Sequence, residues 1–169
     1  MTTTKITALT TKFLGVKGTV YRLFKNGELV FGFTSSFRMG QLLQFNLAPP
    51  PIHEGQEPYE YAVKQLVPAI RNTLREGGFT KTTKGRESGG VFLVGFRGRL
   101  FIVDSDFQVG ESRDCYESVG CGESYAMGAM HALPNATPMQ RLQAGLDAAA
   151  TFSAGVAGPF NFVELEKKA

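Results

Sequence analysis

The order of hydrophobic patterns along this sequence predicts an α+β fold in which blocks of strands alternate with blocks of helices. Three observations carry that expectation. Apolar residues recur at period two in hairpin-like pairs, and they recur at helical spacing in two separate helix-rich blocks. In addition one hairpin, Gly90 to Phe96 with Arg99 to Asp104, is apolar on both faces. An antiparallel hairpin ordinarily wets one face, so this one is expected to meet a second sheet on one side and helices on the other. Among the arrangements this order allows is a four-layer sandwich, helices–sheet–sheet–helices. The βαβ alternation of a doubly wound sheet and an all-β pattern both disagree with it.

Taken in order, Ile6 to Leu9 is a weak strand in a Thr-rich segment, and Thr19 to Phe24 and Glu28 to Thr34 are stronger ones. Lys25, Asn26 and Gly27 lie between the latter two, and an Asn-Gly pair signals a hairpin. Leu29, Phe31 and Phe33 share one face. Ser35 or Ser36 then reads as the N-cap of a short helix, Phe37 to Phe45, which Pro49, Pro50 and Pro51 bring to a stop. A longer helix, Tyr59 to Glu76, places Ala62, Leu66, Ile70 and Leu74 on one side; Pro68 is expected to kink it, and Gly77-Gly78 to end it.

The stretch with Lys81, Lys84 and Arg86 reads as a solvated loop. The doubly apolar hairpin follows, turning at Arg97-Gly98, and then a short strand at Tyr116 to Val119. Glu123 to Leu133 is helical. Thr137-Pro138-Met139-Gln140 is a capping box with Pro at the first helical position, opening a helix to about Ser153 with Leu142, Leu146, Ala149 and Ala150 on its buried side. Phe160 to Leu165 is a closing strand.

Composition narrows the function classes. A chain of 169 residues suits one domain, and 43% apolar content is enough for a real core. Trp is absent while Phe reaches 14, so Phe is expected to supply the large core groups. A net charge of +3 without a basic stripe argues against nucleic acid. No apolar run approaches about 18 residues, so no membrane span is expected. The two cysteines, Cys115 and Cys121, make neither a disulfide framework nor a zinc pattern, which points to a reducing, cytoplasmic setting without a metal or other cofactor. His53 and His131 are far apart in sequence and suggest no triad. Asp104 and Asp106 follow a strand, where carboxylates ordinarily cap a turn.

Four segments then resemble one family, the proteasome-like N-terminal-nucleophile (Ntn) hydrolases. SVGCGESYAMGAM, Ser118 to Met130, resembles the small-Gly-Ser-Gly-x-x-Tyr-Ala-x-Gly segment of proteasome β subunits and of the peptidase of the bacterial ATP-dependent ring protease. LFKNGELVFGFTSS, Leu23 to Ser36, is similar to their second hairpin running into the first helix. GVFLVGFRGRLFIVDSDF, Gly90 to Phe107, is similar to their central hairpin, and QRLQAGLDAAATFSAGVAGPFNFVEL, Gln140 to Leu165, to their last helix pair and closing strand. Small proteasome-like proteins of bacteria and their phages are more similar still. The resemblance implies the αββα Ntn-hydrolase sandwich over residues 19–169, with residues 1–18 an incomplete match.

What else the resemblance implies is a threonine-type peptidase working inside a homo-oligomeric ring on peptide or unfolded-protein substrates, with an ATPase partner. In that family an N-terminal Thr hydroxyl is the nucleophile and its own α-amine the base, with a lysine in the proton network and backbone N–H groups on the oxyanion. The candidates here are Thr2, exposed if Met1 is removed, Lys17, and Cys121 in place of a supporting Ser. Lys17 lies two residues before Thr19, the position that matches the family lysine. Cys121 reads either as a weak S–H donor near the nucleophile or as a small buried residue in a glycine turn. Ser35 stands where the family has an oxyanion glycine, and Ser153 and Val156 stand near its last Asp and Ser. The segment Thr2 to Gly18 is short for the family's first hairpin and lacks its acid, so either the sequence begins inside a longer protein or the first strand has been lost. The competing expectation is a catalytically inactive ring subunit with the same fold.

Overall fold

The computed structural model describes residues 5–6, 22–34 and 36–164. Among them the strands are β1 (Lys5–Ile6), β2 (Leu23–Asn26), β3 (Leu29–Phe33), β4 (Lys81–Thr83), β5 (Arg86–Ser88), β6 (Phe92–Phe96), β7 (Arg99–Val103), β8 (Val109–Glu111) and β9 (Val163–Glu164). The α-helices are α1 (Phe37–Gln41), α2 (Pro58–Tyr61), α3 (Val67–Glu76), α4 (Glu123–His131) and α5 (Pro138–Phe152). A five-stranded antiparallel sheet in the order β2-β3-β6-β7-β8 is the centre of the fold, and β1 pairs with β9 apart from it.

The central sheet has a core on each side. On one face Phe24, Leu29, Phe31, Phe33, Phe92, Val94, Phe96, Phe101 and Val103 pack with Met39, Leu42 and Leu43 after β3 and with Tyr61, Leu66, Ile70 and Leu74 of the second helical block. On the other, Leu23, Val30, Leu93 and Leu100 pack with Val119 and with Val163 of β9. The period-two split of Leu29, Phe31 and Phe33 from Val30 is thus the split between two cores. Ala126 and Met130 of α4 and Leu142 and Ala149 of α5 form a third cluster with Val156. The architecture is mixed helix and sheet, as the sequence predicts, with an antiparallel sheet that carries a core on each face. Among the described residues no helix is long and apolar enough to cross a membrane.

Turn and cap chemistry account for the boundaries. Ser36 caps α1, its Oγ accepting from Met39 N–H at 3.3 Å. The helix then widens over Leu42–Asn46, where Leu47 N–H donates to Leu42 O at 2.9 Å across five residues. The Asn26 side-chain amide donates to the carbonyls of Leu43 and Leu47, both at 3.0 Å, and so ties the β2–β3 hairpin to the end of this helix. With Asn26 used in this way, the turn falls on Gly27-Glu28, one residue later than the Asn-Gly pair suggests, with Gly27 at φ +62°.

The long helix does run to Glu76, and the kink expected at Pro68 takes a specific form. Residues Ala62–Leu66 make a widened turn in which Val67 N–H reaches Ala62 O, and the regular helix resumes from Val67. Proline has no N–H to donate, and its ring crowds the carbonyl four residues back, which a wider turn relieves. At the far end Phe79 N–H donates to Leu74 O and Gly78 N–H to Arg75 O, a Schellman closure. The Thr137 capping box is present in both directions, with Gln140 N–H donating to Thr137 Oγ1 and Thr137 N–H to Gln140 Oε1.

Two expectations are corrected. The polar stretch is a hairpin, β4–β5, turning at Lys84-Gly85 with φ of 49° and 78°. Its Glu87 accepts from both Arg71 and Arg75 of α3, at 2.6 and 2.5 Å, and these two cations hold the carboxyl far below the usual carboxylate range, Arg75 most. Tyr116 to Val119 is not a strand. The place beside β7 is taken by β8, through the register Val103↔Val109 and Phe101↔Glu111. The Arg99 guanidinium joins Glu111 to Glu57 across that edge.

Two measurements probe this packing. Val30 is fully buried on the face opposite Phe31, so Val30→Asn is expected to destabilise the fold by roughly 2–4 kcal/mol in denaturant unfolding, while Lys25→Asn on the neighbouring strand has little effect. A loss below about 0.5 kcal/mol for Val30→Asn would show that this face is wet. Tyr61 is buried and donates to Pro50 O at 2.7 Å, and burial pushes its phenol up to about 12. The unfolded phenol ionises near 10, so this stabilisation is complete below pH 10 and lost as pH rises toward 12. Tyr61→Phe is expected to flatten the alkaline fall in melting temperature over that window.

Candidate functional site

Of the sequence-predicted site residues, Thr2 and Lys17 lie outside the described residues, as do Thr19 and Ser35. Cys121 is described, and it sits with the start of β2, the end of β3 and the turn after α5. Three close approaches define this corner. Gly120, at φ +118°, lies so near Thr34 that a side-chain carbon there would be 3.0 Å from Thr34 Oγ1. A carbon added to Gly122 would meet Ala149 at 2.7 Å and Val156 at 2.9 Å. One added to Gly155 would be 2.5 Å from Cys121 Sγ and 3.9 Å from Ser153 Oγ. The Gly120–Cys121–Gly122 turn is therefore wedged between the end of β3 and the turn after α5, and glycine is what lets the three segments close.

Cys121 is an exposed free thiol, which overturns the reading of it as a small buried residue. It lies just before α4, whose N-cap is Gly122 and receives no side-chain cap hydrogen bond. Val156, by contrast, is buried in the third cluster and contributes packing only.

Sequence reasoning missed Arg22. It is only 4% exposed, beside β2, and its carbonyl accepts from Phe33 N–H at 3.0 Å. Its guanidinium carbon stands 4.6 Å from the centre of the Phe37 ring, a cation–π contact. Its Nε finds no hydrogen-bond acceptor among the described residues. Burial lowers its pKa from the usual arginine value, and the neighbouring Cys121 acts in the opposite direction. An arginine keeps its proton even so, which leaves a desolvated cation next to an exposed thiol. The signal was available: Arg22 stands two positions before Phe24, so at strand spacing its side chain falls on the same core face.

The approach to this turn carries a second strained group. Glu117 accepts from Ser118 N–H at 3.1 Å, and Ser118 is buried. Desolvation raises the Glu117 carboxyl above its ordinary range, with Glu123, Asp104 and Asp114 adding to the effect. Next to it the Tyr116 hydroxyl lies 3.3 Å from His131 Nδ1. His53 is elsewhere, its N–H donating to Gln56 Oε1, and Asp106 caps a turn by accepting from Gln108 N–H at 3.0 Å. Among the described residues no group of His, Cys, Asp and Glu could hold a metal ion.

The fold is that of the proteasome-like Ntn hydrolases. Among solved structures, Thiobacillus denitrificans BPH in complex with Epoxomicin superposes with a TM-score of 0.72 at 19% identity, covering 98% of this chain and 93% of the other. A second structure of Thiobacillus denitrificans BPH gives 0.66 at 20% identity, over 97% and 91%. Eukaryotic HslV from Trypanosoma brucei gives 0.63 at 16% identity, over 98% and 95%. No protein-family model matches the sequence, and no curated protein matches it.

Because the folded-state pKa of Glu117 is raised, its charged form is a cost at neutral pH that disappears as pH falls below the unfolded value near 4. Glu117→Gln keeps an acceptor for Ser118 N–H and is expected to raise the melting temperature at pH 7 and to have no such effect at pH 4. Thermal scans at the two pH values check this.

Proposed function

We propose that this chain is a threonine-type peptidase subunit of a proteasome-like homo-oligomeric ring, hydrolysing peptide bonds in peptides or unfolded proteins. The observation that supports this most is the extent of the fold match, 98% of the chain at a TM-score of 0.72 to a BPH structure holding Epoxomicin, together with the four family-like segments in their expected order. In this reading removal of Met1 frees the amine of Thr2. The amine takes the proton of the Thr2 hydroxyl as the oxygen adds to the scissile carbonyl, and it returns the proton to the leaving amine. Water then hydrolyses the Thr2 ester. Lys17 helps hold the proton network, Cys121 borders the nucleophile, and the backbone N–H of Ser35 is a donor for the oxyanion. The ring sits in the cytoplasm with an ATPase as feeder, and no cofactor takes part.

A second reading, an inactive ring subunit, is favoured by Val156. It is buried with Gly122 and Ala149 where the resemblance expects a polar group. The two readings separate cleanly. If the first holds, intact-mass measurement finds Met1 removed and Thr2→Ala lowers peptide hydrolysis by about a thousand-fold or more, with light-scattering mass unchanged. Hydrolysis that survives Thr2→Ala rejects Thr2 as nucleophile, and a ring without hydrolysis supports the second reading.

A further inference from the structure

The β4–β5 hairpin pairs with no strand of the central sheet, and most of its charge is not used by the fold. Residues 71–88 hold five cations, Arg71, Arg75, Lys81, Lys84 and Arg86, and two carboxylates, Glu76 and Glu87. This one stretch therefore carries a charge of +3, equal to that of the whole chain.

Strand pairing sorts those charges between two faces. Side chains directly opposite across an antiparallel ladder share a face, and neighbours along a strand alternate. The register Lys81↔Ser88, Thr82↔Glu87 and Thr83↔Arg86 thus puts Thr82 and Glu87 on one face and Lys81, Thr83, Arg86 and Ser88 on the other. Glu87 turns toward α3, where Arg71 and Arg75 hold it at 2.6 and 2.5 Å with its side chain only 8% exposed. The hairpin's one acid is consumed there. On the other face Lys81, Thr83 and Arg86 are exposed, as is Lys84 at the tip. None of these three cations forms an ion pair with another described residue.

The cationic face is also preformed. Lys84 and Gly85 take φ of 49° and 78°, the mirror-image turn that matches the twist of a two-stranded ribbon. The Glu87 clamp fixes the base, so little freedom remains to be lost on binding. Among the described residues neither outer edge of the ribbon carries a further strand. A free edge offers unpaired backbone groups, and charged side chains on it discourage pairing with other strands. A strand that brings carboxylates escapes that exclusion, because it neutralises the cations while it gains main-chain hydrogen bonds.

We propose that this face of the β4–β5 hairpin docks an extended acidic segment of a partner protein. Carboxylates at alternate positions of the segment meet Lys81 and Arg86, with the Thr83 hydroxyl between them as a donor and Lys84 at the tip. The same face has no aromatic side chain on which the bases of a single-stranded nucleic acid could stack, and no apolar side chain to enter a membrane. The inference is independent of whether Thr2 is a nucleophile.

The test uses the full chain and a dye-labelled peptide of about eight alternating Glu and Thr residues, blocked at both ends so that only side-chain carboxylates are charged. Its partner probe has Gln in place of Glu. Fluorescence anisotropy is expected to show the Glu peptide binding about ten-fold or more tighter than the Gln peptide. Lys81→Gln, Lys84→Gln and Arg86→Gln should each weaken it about three-fold, and the triple variant about thirty-fold. Lys25→Gln removes the same charge from exposed β2 and should leave binding unchanged. Equal binding of the two peptides, full binding by a folded triple variant, or an equal loss in Lys25→Gln overturns the proposal. Should the triple variant fail to fold, the wild-type protein still decides. The Glu peptide should slow acetylation of the Lys81 and Lys84 amines and not that of Lys25, read by peptide mass spectrometry, and absence of that protection overturns the docking face. A single-stranded oligouridine of matched charge is the remaining arm. Weaker binding than the Glu peptide supports the protein segment, and tighter binding displaces it in favour of a nucleic acid.

Discussion

The structure depends on a central hairpin with no solvent face. Every residue of β6 is buried, and in β7 Leu100, Phe101 and Val103 are buried. The pair divides its side chains between two cores, with Phe92, Val94, Phe96, Phe101 and Val103 on one side and Leu93 and Leu100 on the other. Each large apolar group so buried contributes about 1.5–3 kcal/mol, and the antiparallel ladders to β3 and β8 satisfy the backbone groups that lie out of reach of water. Remove either cover and the face it protected has nothing to pack against. The helices on one side and the β9 strand on the other are therefore consequences of this hairpin.

The candidate site follows from the same constraint. Where β2 and β3 meet the border of the buried layer, a charged residue on an inward position cannot reach water. Arg22 is held there by the Phe33 backbone contact and the Phe37 ring. The turn before α4 closes the corner because Gly120 takes φ +118° and Gly122 lies against Ala149 and Val156 with no space for a side chain. Polar chemistry is thus confined to a place that dry packing encloses on most sides, which strengthens each electrostatic interaction within it. Glu117 experiences the same environment with the opposite sign of charge.

Much of the fold was legible in the residues. The Thr137 capping box, the Gly77-Gly78 stop, the Ser36 cap and the Arg97-Gly98 turn are local devices, made by residues a few positions apart, and each formed as its chemistry requires. The two faces of β3 were readable from alternation alone. The β4–β5 hairpin was hidden because Lys81, Thr82 and Thr83 carry no apolar alternation; what holds it in place is Glu87 reaching Arg71 and Arg75 on another element. Tyr116 to Val119 had the composition of a strand, but an edge position is given to the segment that can reach it, and the short Asp104–Gln108 turn brings Val109–Glu111 there first.

By itself, then, the sequence determined the type and order of the elements other than β4, β5 and β8, the caps that bound several of them, and the presence of two cores around one hairpin, because those properties rest on residues near one another along the chain. It also marked Cys121 and its flanking glycines as a special turn. The tertiary structure alone decided that Arg22, Thr34, Cys121 and Gly155 share a corner, that the thiol is open, and that the cation beside it is desolvated. Those facts arise from packing between segments separated by up to 133 positions, the difference between 155 and 22. Period and propensity carry no information about such distances, since burial and charge environment are properties of the closed assembly of layers rather than of any segment within it.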